Sequence, residues 1–122
     1  MEHGLAERFA ATWLRDWNNH DLDRILDHYD DDVRFTSPMV RHLGASPSGT
    51  LHGRAAVAAY FRAGLDVAED LAFDLVAVLA GSGGLTVLYR NHRHQLCAET
   101  MLLTGVRIHT AHVHYQPAEE PA

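Results

Sequence analysis

The chain contains no lysine, one cysteine (Cys97) and no apolar run approaching the roughly 20 residues needed to span a bilayer. Each absence removes a class of function. Without lysine there is no amine for Schiff-base chemistry and no Gly-Lys pair for a phosphate-binding loop. A lone cysteine cannot close an intrachain disulfide, and no charged-then-apolar leader opens the chain, so a reducing, cytoplasmic setting is expected. With no spanning run, no membrane association is expected. Cationic charge is scarce as well: ten basic residues, all arginine, face sixteen acidic ones, for a formal net charge of -6. Duplex binding depends on cations that displace phosphate counterions, so no nucleic-acid partner is expected. The lack of lysine beside abundant Ala, Arg, Asp and Leu resembles the product of a GC-rich bacterial genome.

What is present is enough for one core. With 122 residues and 47% hydrophobic content, the chain has the size of a single domain over 1–122, with a tail from 117 to 122 expected to fray. Leu5, Phe9, Ala10, Trp13, Leu14 and Trp17 recur at three and four, which predicts an amphipathic helix. Asp21 is a good N-cap for a short second helix carrying Leu22, Ile25, Leu26 and Tyr29 on one face. Val33 to Ser37 alternates as a strand and stops at Pro38; Met39 to His52 shows no period and reads as a long loop able to cover a pocket. A third helix carries Ala55 to Leu65. Four strands follow over Leu71–Ala80, Leu85–Asn91, Gln95–Thr104 and Arg107–Tyr115, joined by short turns that make neighbours antiparallel. Gly105-Val106 suits a two-residue type II′ turn, which would set Glu99 opposite His112 and Cys97 opposite His114.

The strings Asn19-His20-Asp21-Leu22, Tyr29-Asp30-Asp31-Asp32-Val33, Ser37-Pro38, His52-Gly53-Arg54 and Arg107-Ile108 with Tyr115 resemble SnoaL-like and ketosteroid-isomerase-like members of the NTF2-like superfamily. The resemblance implies an α+β fold: a cone-shaped barrel in which three N-terminal helices pack on a curved antiparallel sheet. It says less about chemistry, because isomerases, polyketide cyclases, hydrolases, dehydratases and non-catalytic binders share that scaffold. Carried over one residue at a time, the isomerase's base carboxylate falls at Ser37, its helix-one tyrosine at Trp13, its protonated aspartate near Leu96 and its third-helix tyrosine at Phe61. Only Tyr29 is retained. A serine hydroxyl cannot serve as the base, so ketosteroid isomerase activity is not expected.

Strand alternation assigns Phe35, Ser37, Leu85, Val87, Tyr89, Leu96, Ala98, Thr100, Ala111, Val113 and Tyr115 to the inside of the sheet. With Trp13, Trp17, Tyr29 and Phe61 they predict an aromatic pocket for a small apolar organic ligand. Large apolar side chains also fill cores without touching any ligand, and that reading stands beside the first. Tyr29 and Ser37 are the expected polar contacts, with His52 as acid or base; His42, Asp74 and His109 are weaker candidates. No cofactor is expected. On the outer face Cys97, Glu99, His112 and His114 would cluster, but their spacing resembles no zinc motif, so no metal is expected there. Members of the superfamily pair through this face, which implies a homodimer in which Glu99 favours charged histidines. The functional reading is a pocket protein that binds or transforms an apolar or polyketide-like compound, as a cyclase, isomerase or hydrolase. The competing reading is a non-catalytic dimeric binding or interaction module, and the sequence does not decide between them.

Overall fold

Glu2 begins the first helix, its side chain accepting from the Gly4 amide, and the three-and-four pattern then carries α1 over His3–Asn18. Asp21 caps α2 (Leu22–Leu26) by accepting from Arg24 N at 3.2 Å. The computed structural model describes residues 1–117; of the tail expected to fray, residues 118–122 lie outside the described residues. Tyr29 does not extend α2. It opens strand β1 (Tyr29–Thr36), where Val33, Phe35 and Tyr29 are buried and Asp31 and Asp32 face out.

The segment expected to be a loop holds two short elements. Ser37 caps α3 (Pro38–His42), with proline in the first turn where its missing N–H costs nothing. Strand β2 (Thr50–His52) then pairs antiparallel with β1. Gly53, at φ 93°, turns the chain into α4 (Arg54–Val67). The remaining strands are β3 (Asp74–Gly81), β4 (Gly84–Arg90), β5 (Leu96–Thr104) and β6 (Arg107–Tyr115).

The sheet is α+β in the way the resemblance implies: six strands in the order β2-β1-β6-β5-β4-β3, left open, with the helices packed on it. Its strands are not all antiparallel, because β1 runs parallel to β6. The chain reaches that pairing by crossing the whole molecule, a long-range contact that no turn signal announces. Gly84 is buried where β4 meets β5, and a Cβ there would collide with the Met101 carbonyl oxygen.

One feature of the β5–β6 hairpin decides which residues face the helices. Gly105, at φ 61°, forms the expected two-residue turn, and Thr104 pairs with Arg107 and Leu103 with Ile108. Then Leu102 pairs with Thr110, so His109 is an extra residue, a β-bulge. From there every partner is displaced by one: Met101 with Ala111, Glu99 with Val113, Cys97 with Tyr115. Because side chains alternate with period two, the shift turns Cys97, Glu99 and Met101 inward and leaves Leu96, Ala98 and Thr100 outside. The expected outer cluster does not form. His112 and His114 are exposed, stacked 6.5 Å apart, and lie opposite Thr100 and Ala98, while Cys97 and Glu99 are on the other face.

Candidate functional site

Helices α1 and α4 lay aromatic side chains against the inner face of the sheet, and the rings leave a gap. Trp17, Phe35, Phe61, Phe73, Tyr89, Val113 and Tyr115 line a chamber of about 150 Å³, with Cys97 and Glu99 in its wall. The rings meet edge to face or tilted: Trp17–Phe61 at 4.8 Å, Phe35–Phe61 at 5.1 Å and Phe73–Tyr89 at 4.4 Å between centroids. A wider space of about 770 Å³ adjoins it, walled by Met39 and Leu43, by Ala56, Ala59, Ala63 and Val67 of α4, and by the β4–β5 loop. Tyr60, Tyr115, Leu43, Gly64, Leu71, Asn91 and His92 line both spaces and form the neck between them. The loop is fixed by Asn91, whose Oδ1 accepts from Arg93 N and Gln95 N at 2.9 and 3.0 Å.

Among the described residues, Glu99 is the one carboxyl group in the chamber wall, 4% exposed. Tyr89 Oη donates to its Oε1 at 3.1 Å, and Oε2 has no partner among the described residues. Burial among apolar groups pushes the carboxyl up from its ordinary 4.5 to about 8, against the opposing pull of the Tyr89 hydrogen bond. At neutral pH it is mostly a neutral acid. Burial also raises the Cys97 thiol to about 11, with the nearby Glu99 charge adding to the rise. That thiol donates to the Gln95 carbonyl at 3.5 Å, and as a neutral group it is a poor nucleophile. Desolvation raises Tyr60, Tyr89 and Tyr115 too, so all three phenols stay protonated and able to donate.

Of the residues expected at the site, Trp17, Phe35, Phe61, Tyr89, Val113 and Tyr115 do meet in the chamber wall. Trp13 and Tyr29 lie behind it, both fully buried, with Trp13 Nε1 donating to Tyr29 Oη at 3.2 Å. Trp17 Nε1 approaches the same hydroxyl without reaching hydrogen-bond geometry and is left unpartnered. Tyr29 is therefore a core hydroxyl, not a chamber contact. Ser37 is buried, its Oγ accepting from Met39 N at 3.3 Å as the cap of α3. His52 is exposed on β2 opposite Arg34 and outside the chamber wall, which removes the geometric basis for its acid–base role. His42 and Asp74 are exposed, and His109 sits in the bulge, its Nδ1 2.8 Å from Thr110 Oγ1. Leu96 and Ala98 face outward for the reason given by the bulge and do not contribute to the wall.

Glu99, Cys97, Phe73, Tyr60 and His92 belong to the site and were not expected there. The alternation of β5 was ambiguous, since Leu96-Ala98-Thr100 and Cys97-Glu99-Met101 are each two-thirds apolar. Among the described residues, no three His, Cys, Asp or Glu side chains converge on a metal position, and no helix is long and apolar enough to cross a membrane.

Residues 10–116 match the profile of the SnoaL-like domain. The chain is similar over 96% of its length to a SnoaL-like protein of unknown function from Burkholderia thailandensis, with 36% identity, 99% of that chain covered and a TM-score of 0.91. A candidate ketosteroid isomerase from Kribbella flavida superposes at TM-score 0.73 with 15% identity, covering 94% of this chain and 80% of that one. A candidate polyketide cyclase from Sinorhizobium meliloti gives 0.71 with 9% identity, covering 88% and 94%. These last two show likeness of fold. Among curated proteins, no sequence matches the chain.

Proposed function

The chain belongs to the SnoaL-like domain family, and from that premise we infer that it is a small-molecule enzyme in which Glu99 moves a proton on an apolar carbonyl compound held in the chamber. The observation that carries this reading is a carboxyl, the only one of the described residues there, buried, raised to about 8 and partly unpartnered, in the wall of a largely apolar and aromatic cavity. Groups whose titration is displaced toward neutrality inside a cavity are suited to acid–base work. As carboxylate, Glu99 would take a proton from the carbon beside the ligand's carbonyl, leaving an enol or enolate; as acid it would return one. Tyr89 holds the carboxyl in place through the bond to Oε1. The names of the isomerase and cyclase neighbours are in keeping with such chemistry.

The test is exchange of the α-protons of 2-tetralone in heavy water, followed by NMR. Catalysed exchange should rise with pH and level off above about 8, as Glu99 loses its proton, and should fall at least 100-fold in Glu99→Gln. Uncatalysed rates in the wild type, or equal rates in both proteins, would return the chain to the non-catalytic binding reading.

A further inference from the structure

The bulge at His109 breaks up the cluster expected on the outer face of the sheet, but it leaves two of its members side by side. His112 and His114 stand two residues apart on β6, both exposed, with rings 6.5 Å apart and close to parallel at 21°. Neutral imidazole is a ligand for zinc, copper and nickel, and residues two apart on a strand point to the same side, so the pair offers one ion two nitrogens. To share an ion at bonds of about 2.0–2.1 Å the rings must close to roughly 5 Å between centroids, which exposed side chains reach by rotating about χ1 and χ2. Two nitrogens do not complete a tetrahedron. Among the described residues, one chain brings no third His, Cys, Asp or Glu to them.

Sheet register shows where the other ligands would come from. In the order β2-β1-β6-β5-β4-β3, the two middle strands are β6 and β5. Thr36, His112 and Thr100 are successive partners across them, so His112 stands at the centre of the outer face, with His114 in the next row beside Ala98. Arg34, opposite Thr110, and Arg90, opposite Leu96, stand in the flanking rows. A second copy laid on this face about a two-fold axis presents the same patch to itself, and an axis through the centre of the sheet sets each histidine pair against its counterpart. Packed sheets lie about 10 Å apart, so an ion midway is roughly 5 Å from each backbone layer, within reach of an imidazole at a Zn–N bond of about 2.0–2.1 Å. The small side chains of Thr86, Ala98 and Thr100 allow that approach, and the exposed Leu79 and Leu102 add apolar contact.

We propose that His112 and His114 are half of a tetrahedral transition-metal site, completed by the same two residues of a second copy, so that one zinc ion bridges two chains through their outer sheet faces. The site lies on the opposite side of the sheet from Glu99 and does not depend on its chemistry. The ion supplies what the histidines alone lack, a reason for two like patches to meet at the axis. Binding to the paired form alone would then tighten association in proportion to zinc occupancy.

The test is sedimentation velocity and native mass spectrometry of EDTA-stripped protein, with and without added zinc chloride. Zinc should bind one ion per two chains and tighten the dimer roughly 100-fold, and cobalt(II) in its place should give the intense visible bands of a tetrahedral ion. His112→Thr and His114→Thr, which keep a good strand former, should each abolish the tightening while the stripped variants melt like the stripped wild type. His3→Asn, which removes the exposed histidine 3.2 Å from Glu7, should leave the tightening intact. A dimer of equal affinity with and without zinc would overturn the proposal, as would one ion per chain, a monomer throughout, or zinc-tightened association that survives in the His112→Thr/His114→Thr double variant.

Discussion

A carboxyl group walled in by Trp17, Phe61, Phe73 and Tyr89 has little water to stabilise its charge, and one phenol hydrogen bond does not make up the difference. Such a group couples folding to pH with a definite sign. Between about 4.5 and 8 the unfolded chain has released the Glu99 proton and the folded chain has kept it. The unfolded state binds fewer protons there, so the contribution of Glu99 makes stability fall as pH rises through that window and level off above it. Glu99→Gln should remove this slope, since the amide stays neutral and its oxygen can still accept from Tyr89. Thermal denaturation should show the variant close to the wild type near pH 4.5 and exceeding it by on the order of 4 kcal/mol at pH 8. A constant difference across the range would mean that Glu99 is ordinarily ionised in the folded protein.

At the scale of elements, most of the organisation was legible because it is written in short-range patterns. The capping by Asp21, the period of α1 and α4, and the Gly105-Val106 turn each depend on neighbours within a few residues, and each is found in place. The bulge was not legible, because nothing distinguishes His109 from any other strand residue, and the pairing with Leu102 that it disrupts is settled by packing. That one residue exchanged the two faces of β5 and hid the acid. The parallel pairing of β1 with β6 was missed for a similar reason, as it links distant stretches of sequence. Deleting His109 tests the point. A bulge-free hairpin would drive Glu99 outward and Leu96 and Ala98 inward, so the deletion should cost more than about 3 kcal/mol or abolish cooperative unfolding in denaturant titrations. A deletion variant of wild-type stability would show that the sheet tolerates either register.

For the molecule as a whole, superfamily resemblance in the sequence was sufficient for the fold, since spaced strings along nearly the full chain agreed, but the site was only half visible. The aromatic wall could be assembled from alternation and helical period; the acid and the neck required the three-dimensional register. The outer sheet face, carrying His112, His114, the Thr86–Thr100 hydroxyl pair at 2.9 Å and the partly exposed Leu102, is the surface we propose for homodimer contact. With Glu99 on the opposite face, it cannot pair with His112 there, and association loses the pH dependence that pairing would have given. Sedimentation velocity should show a dimer that Thr100→Arg dissociates; a monomer at all concentrations would exclude the contact.

Whether the chamber holds a neutral carboxyl poised for proton transfer is tested most directly by a site-resolved titration of the Glu99 side-chain carboxyl by ¹³C NMR, assigned against Glu99→Gln. The expected midpoint lies near 8, with the Tyr89 ring signals moving in the same transition. A midpoint near 4.5 would contradict it, leaving an ordinary carboxylate in a cavity that binds without catalysing.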